Sequence, residues 1–119
     1  MLVRKLKECQ EFVAEDTALL RELLNPLKEK LELGYSFAVA RVTSGNKTAV
    51  HALTYSEVYY IIKGSGVMHV GDEAQTVEPD TIIYIPPHAK QFIENTGKTE
   101  LEFICIVDPA WRPECEKEV

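Results

Sequence analysis

From Tyr35 to Val107 the chain is a series of short runs of strand formers, cut by turn residues every eight to twelve positions. Only an all-β sandwich or barrel accommodates that rhythm comfortably, because none of the runs is long enough for a typical helix and each ends in residues that reverse the chain. Eight strands are predicted: Tyr35 to Val42, Thr48 to Thr54, Glu57 to Lys63, Val67 to Val70, Ala74 to Val77, Thr81 to Ile85, Gln91 to Asn95 and Leu101 to Val107. Gly64-Ser65-Gly66 reads as a tight hairpin turn, Gly71-Asp72 as the next reversal, and Asn95-Thr96-Gly97-Lys98 as another.

The first third has a different character. Leu20, Leu23, Leu24, Leu27 and Leu31 fall at helical spacing, interrupted by Pro26, and Asn25 is placed to cap a short second helix closed by Gly34. The same leucines also suit an extended arm, since paired apolar residues can serve either period. Residues 1–34 are therefore expected to form an arm on the barrel or on a second subunit, and residues 35–119 the barrel with its tail.

At 119 residues, 45% apolar and 27% charged, the chain is expected to be one soluble domain. It has no tract of about 18 apolar residues for a membrane span, and Met1-Leu2-Val3-Arg4-Lys5-Leu6-Lys7-Glu8 lacks the core of a signal peptide. A cytoplasmic location follows as an expectation. Cys9, Cys105 and Cys115 read as reduced thiols. A net charge of -6 without a basic stripe argues against nucleic acid as a partner.

Side-chain alternation decides what meets inside a barrel, because residues two apart share a face. His51 and Leu53 point together; Glu57, Tyr59 and Ile61 form one row, and Gln91 and Ile93 another. The interior can thus gather His51, Glu57 and Gln91. On the last strand Leu101, Phe103, Cys105 and Val107 share one face while Ile104 and Ile106 make the other apolar too, so both need cover and a homodimer is expected. Met68 points inward and His69 outward.

Gly45, His51, Glu57 and Gly64 stand at the intervals of the first motif of the cupins, with Leu53 where a second histidine belongs. Asp80, Pro86, His88, Gln91 and Asn95 occupy the places of the second motif, in which Asp80 and His88 replace glycines and Gln91 a histidine. Asp and His are among the few residues that tolerate the positive φ of such glycines. From about Tyr35 to Asp108 the chain resembles a small single-domain cupin, which implies a jelly-roll β-barrel.

Cupins with the full set bind a divalent transition metal through three His and one Glu. The resemblance therefore implies a reduced site of His51, Glu57 and Gln91, able with water to hold zinc, manganese, iron or nickel, although these side chains can equally hydrogen-bond one another. Glu57 and Tyr59 are the candidate catalytic residues, and Leu53, Met68, Phe103 and His88 the candidate pocket wall. Tyr59 and His88 also admit packing and turn roles. Trp111 is a candidate flap.

Two functions remain open. One is a module that binds a small sugar or metabolite; the other is a metal-dependent enzyme of isomerase, decarboxylase or dioxygenase type, acting on a carbonyl or enediol.

Overall fold

The computed structural model describes residues 1–119. Eleven strands run in chain order: β1 (Glu11–Val13), β2 (Leu19–Leu24), β3 (Ser36–Val42), β4 (His51–Leu53), β5 (Ser56–Lys63), β6 (Gly66–Val70), β7 (Glu73–Val77), β8 (Ile82–Ile85), β9 (Gln91–Asn95), β10 (Leu101–Asp108) and β11 (Glu116–Glu118). They form two antiparallel sheets, β1-β2-β3-β10-β5-β8 and β11-β4-β9-β6-β7, facing each other as a jelly roll.

Alternation builds the interior. Ala38, Ala40 and Val42 of β3, Tyr59 and Ile61 of β5, Leu101, Phe103 and Cys105 of β10, and Met68 and Ile93 of the second sheet make one buried core. Tyr59 and Phe103 pack with ring centroids 4.5 Å apart. A smaller cluster joins Leu53, Val107 and Cys115 beneath Trp111.

All eight expected strands are present, with shifted ends. The run from Thr48 narrows to β4 because Thr48 and Ala49 spend their amides elsewhere, on the carbonyls of Ile93 and Asp16. Asp80 (φ 65°) and His88 (φ 71°) adopt the left-handed conformation that the motif's glycines would. Asn95, at the motif's terminal position, donates to the carbonyls of Val42 and Thr99 and accepts from the Gly97 amide, which satisfies it inside the barrel.

The helical reading of the first third is overturned. Leu19–Leu24 is strand β2, pairing with β1 on one side and β3 on the other. An available sheet edge outweighs the weak helical period of the leucines, and the arm takes its extended form. Asn25 starts no helix. Its Oδ1 accepts from the Leu27 amide at 2.9 Å and its Nδ2 donates to the Trp111 carbonyl at 3.0 Å, so it ties the arm to the tail. Glu11 and Arg41 add a bidentate ion pair at 2.6 and 2.7 Å that holds β1 against the barrel.

The turn at Gly64-Ser65-Gly66 is also not a hairpin, since β5 and β6 lie in different sheets. It carries the chain across the barrel, and closeness rather than hairpin geometry demands the glycines. A Cβ on Gly64 would lie 2.3 Å from the Glu100 carbonyl oxygen, at φ +83°.

The outer face of the first sheet is apolar over four strands. Register places Val39, Ile104, Tyr60 and Ile82 in one row and Phe37, Ile106, Val58 and Tyr84 in the next. Ile82 is 69% exposed and Tyr84 64%. No helix of the structure is long and apolar enough to cross a membrane.

Gly64→Ala is expected to lower stability by about 2–4 kcal/mol, because strain at positive φ adds to a backbone clash. Denaturant unfolding measures it; a loss below about 0.5 kcal/mol would show that the crossing tolerates a side chain.

Candidate functional site

Small side chains make room for a site. The inward positions at one end of β3 are Ser36, Ala38 and Ala40, and between them and the arm lies a cavity of about 210 Å³. Leu20 of β2, the β1–β2 loop, Val107 of β10, and Trp111 and Glu116 of the tail complete its wall. That volume is below the roughly 300–1,000 Å³ of drug-sized pockets, which suits a small metabolite.

His51 and Glu57 both line this cavity. The His51 ring is 3% exposed and its Nδ1 lies 2.9 Å from the Ala49 carbonyl oxygen. A carbonyl only accepts, so Nδ1 carries a hydrogen and Nε2 is the ring nitrogen turned to the cavity. Asp16 Oδ2 stands 3.6 Å from that Nε2. The β1–β2 loop holds it there: Ala49 donates its amide to the Asp16 carbonyl, and Asp16 Oδ1 accepts from the Ala18 amide.

Glu57, Gln91 and Tyr59 form a chain. The Tyr59 hydroxyl donates to Gln91 Oε1 at 3.2 Å, and Gln91 Nε2 donates to Glu57 Oε1 at 3.1 Å. Glu57 Oε2 has no hydrogen-bond partner in the protein and opens onto the cavity, since no fully enclosed side-chain oxygen is left unpaired. Burial, reinforced by the charge of Asp16, pushes the Glu57 carboxyl up to about 8 against the opposing pull of the Gln91 hydrogen bond. Burial also raises Tyr59 and the Cys105 thiol well above their ordinary values, so neither serves as an anion at neutral pH.

The expected trio thus meets in part. His51 and Glu57 share the cavity, whereas Gln91, 1% exposed, does not line it and connects only through Glu57 and Tyr59. None of the four expected wall residues lines the cavity. Met68 and Phe103 are spent in the main core and Leu53 in the small cluster. His88 is exposed, and its backbone amide donates to the Leu53 carbonyl, which leaves it the turn role. Tyr59 lines the cavity and packs on Phe103 at once. His69 does point outward, stacked on Phe92 and bonded to Glu94.

The side chains as arranged do not fit a metal cage. No three His, Cys, Asp or Glu side chains converge at metal-ligand distance, and Gln91 offers Glu57 its amide hydrogens while its oxygen serves Tyr59.

Two carboxylates are among the cavity residues that escaped sequence reading. Asp16 lies in a loop between strands masked by helix-like leucines; Glu116 lies in Glu116-Lys117-Glu118, which carries no strand signal yet forms β11 by pairing with β4. Trp111 Nε1 donates to Glu116 Oε1 at 2.8 Å and fixes that carboxylate at the cavity. Burial raises the Glu116 carboxyl as well, with the Trp111 bond opposing.

Residues 38–107 match the family of the cupin domain, and the chain belongs to it. It is 36% identical over 104 residues to an uncharacterized protein, MJ1618, of Methanocaldococcus jannaschii, covering 87% of this chain and 82% of that one. The L-ectoine synthase of Vibrio parahaemolyticus is 24% identical over 110 residues, covering 92% and 86%. Among solved structures, the polyketide cyclase RemF of Streptomyces resistomycificus superposes with a TM-score of 0.83 at 15% identity, covering 100% of this chain and 85% of that one. A predicted oxalate decarboxylase of Thermotoga maritima gives 0.80 at 22%, covering 91% and 99%. At such identities these structures speak for the fold alone.

Glu57 yields a pH prediction for the protein kept free of metal by a chelator. Between its ordinary value of 4.5 and about 8, the folded state keeps a proton that the unfolded chain has released. This contribution is complete at acid pH and disappears as pH rises towards 8. Glu57→Gln should remove that slope and unfold less readily than the parent at pH 8, by on the order of a few kcal/mol. Parallel stability curves for the two proteins from pH 5 to pH 8 would contradict the assignment.

Proposed function

We propose that this cupin binds a small organic molecule, a sugar or other metabolite, in the cavity between the arm and β3. One observation carries the reading: His51 and Glu57 are buried as residues, yet His51 Nε2 and Glu57 Oε2 open onto a small, largely apolar cavity and have no hydrogen-bond partner from the protein. A few polar atoms converging on an otherwise apolar pocket are how a small ligand is oriented, and a ligand hydroxyl or amine would complete them. Apolar contact comes from Leu20, Val107 and Trp111.

A second reading, catalysis, is favoured by the pairing of roles at the same two atoms. Glu57 is largely protonated at neutral pH, and a neutral His51 ring with its hydrogen on Nδ1 presents a lone pair at Nε2, so one can give a proton and the other take one from a bound substrate. Several sequence relatives are enzymes by name, the L-ectoine synthases of Vibrio and Aliivibrio species. In this reading Gln91 and Tyr59 orient the Glu57 carboxyl, and no metal is required.

The chain is also proposed to pair with a second copy through the apolar rows on the outer face of the first sheet. Under a two-fold axis the row of Val39, Ile104, Tyr60 and Ile82 meets its own counterpart, so one face supplies both halves of the interface. Light scattering should give twice the chain mass, and Tyr84→Glu should return a single chain; one chain mass for the parent removes the dimer.

Two measurements test the site. Ala38→Leu fills the cavity floor and should abolish uptake of any small molecule that titrates the parent, while leaving it folded. Elemental analysis after metal-supplemented expression should find fewer than about 0.1 metal ions per chain. Stoichiometric metal lost on His51→Ala would instead establish a metal site.

A further inference from the structure

The charges around the cavity are one-sided. Asp16, Glu57 and Glu116 line it together with Glu15 and Glu22, and no Lys or Arg does. Glu22 is accounted for, because Lys28 Nζ lies 2.8 Å from its Oε1. Asp16, Glu57 and Glu116 have no Lys or Arg partner, and the one neighbouring base is His51, 3.6 Å from Asp16. Three carboxyl groups have thus been brought from three separate elements, the β1–β2 loop, β5 and β11, to one small space without a matching cation.

Such crowding has a cost. Asp16 and Glu116 both press on Glu57 electrostatically, and like charges at short range in a partly dry site repel far more strongly than in water. The fold nevertheless pins two of them: Asp16 by the Ala18 amide and Glu116 by the Trp111 indole, each with an oxygen left over. Independently of the charge, Glu57 is 93% buried by its 7% exposure, lines the cavity, and keeps Oε2 free of any protein donor. Apart from Ser36 and His51 the remaining wall is apolar and includes the aromatic rings of Phe12, Tyr59 and Trp111. Carboxylates beside aromatic rings are the environment in which an organic ammonium is held, by charge on one side and by the π face on the other.

We propose that the molecule taken up by this cavity carries a positive charge: a small ammonium-bearing metabolite, whose charged nitrogen lies among Asp16, Glu57 and Glu116 and whose carbon chain lies against Leu20, Ala38 and Trp111. The inference rests on the cavity being a ligand site and adds the charge that the ligand must have. It assigns recognition to Asp16 and Glu116, which lie outside the segment that defines the family. A carboxylate or phosphate ligand would be repelled by Asp16 and Glu116, and a neutral sugar would leave those two without a counter-charge.

Three probes of equal length, n-butylammonium, n-butanol and n-butyrate, separate the possibilities when titrated into the full chain with a chelator present, with binding followed by NMR shifts. Butylammonium should bind at least about tenfold more tightly than the other two, the discrimination expected from one effective charge contact. Asp16→Asn and Glu116→Gln should each weaken butylammonium about fivefold or more and leave butanol unchanged, which also shows that the variants are folded. Butanol or butyrate binding as well as butylammonium, with Ala38→Leu still blocking it, would overturn the cation assignment and keep the cavity as a ligand site. Ammonium binding that is indifferent to both acidic substitutions would also overturn it. No binding of any probe up to about 50 mM, where fragments of this size are detectable in a matching pocket, would overturn both readings.

Discussion

The pairing of β2 with β3 is the contact on which the site depends. β3 offers one edge of a sheet whose inward side chains are serine and alanine, and such an edge closes a core only if something larger is laid across it. β2 supplies the backbone ladder, Leu20 the apolar cover, and the loop behind it carries Asp16 to His51. Without that ladder β3 would be an exposed edge and His51 would face water. The Glu11–Arg41 pair and the Asn25 bonds to the tail then restrict where the arm can rest.

The barrel was legible because period-two patterning and turn chemistry agree along it. Asp80 and His88 could stand in for glycine only in a left-handed bend, and both adopt one. Inward placement of His51, Glu57, Tyr59 and Gln91 followed from parity, and each is buried. What parity does not reveal is which part of an interior remains empty. Met68, Phe103 and Leu53 point inward as expected and are consumed by packing, so the cavity lies instead where β3 has small residues. The orientation of the Gln91 amide was likewise beyond reach, because it is set by the Tyr59 hydroxyl 32 positions earlier.

The flanking segments were read least well, for a related reason. Leucines in pairs satisfy a helix and a strand almost equally, and only the vacant edge of β3 decides between them. At the other end β11 is Glu-Lys-Glu, a sequence with poor strand propensity that holds its conformation through pairing with β4. Tertiary context overrides local preference at both places, and both contribute carboxylates to the cavity.

The division between scaffold and flanks has a bearing on how such proteins diversify. The recognised family segment ends at Val107, yet Asp16 and Glu116 sit on either side of it. Chemical selectivity can therefore drift through short appended strands while the container and its signature residues stay fixed. Two chains with the same signature could take up molecules of opposite charge, and a ligand guessed from the signature alone would be wrong for one of them.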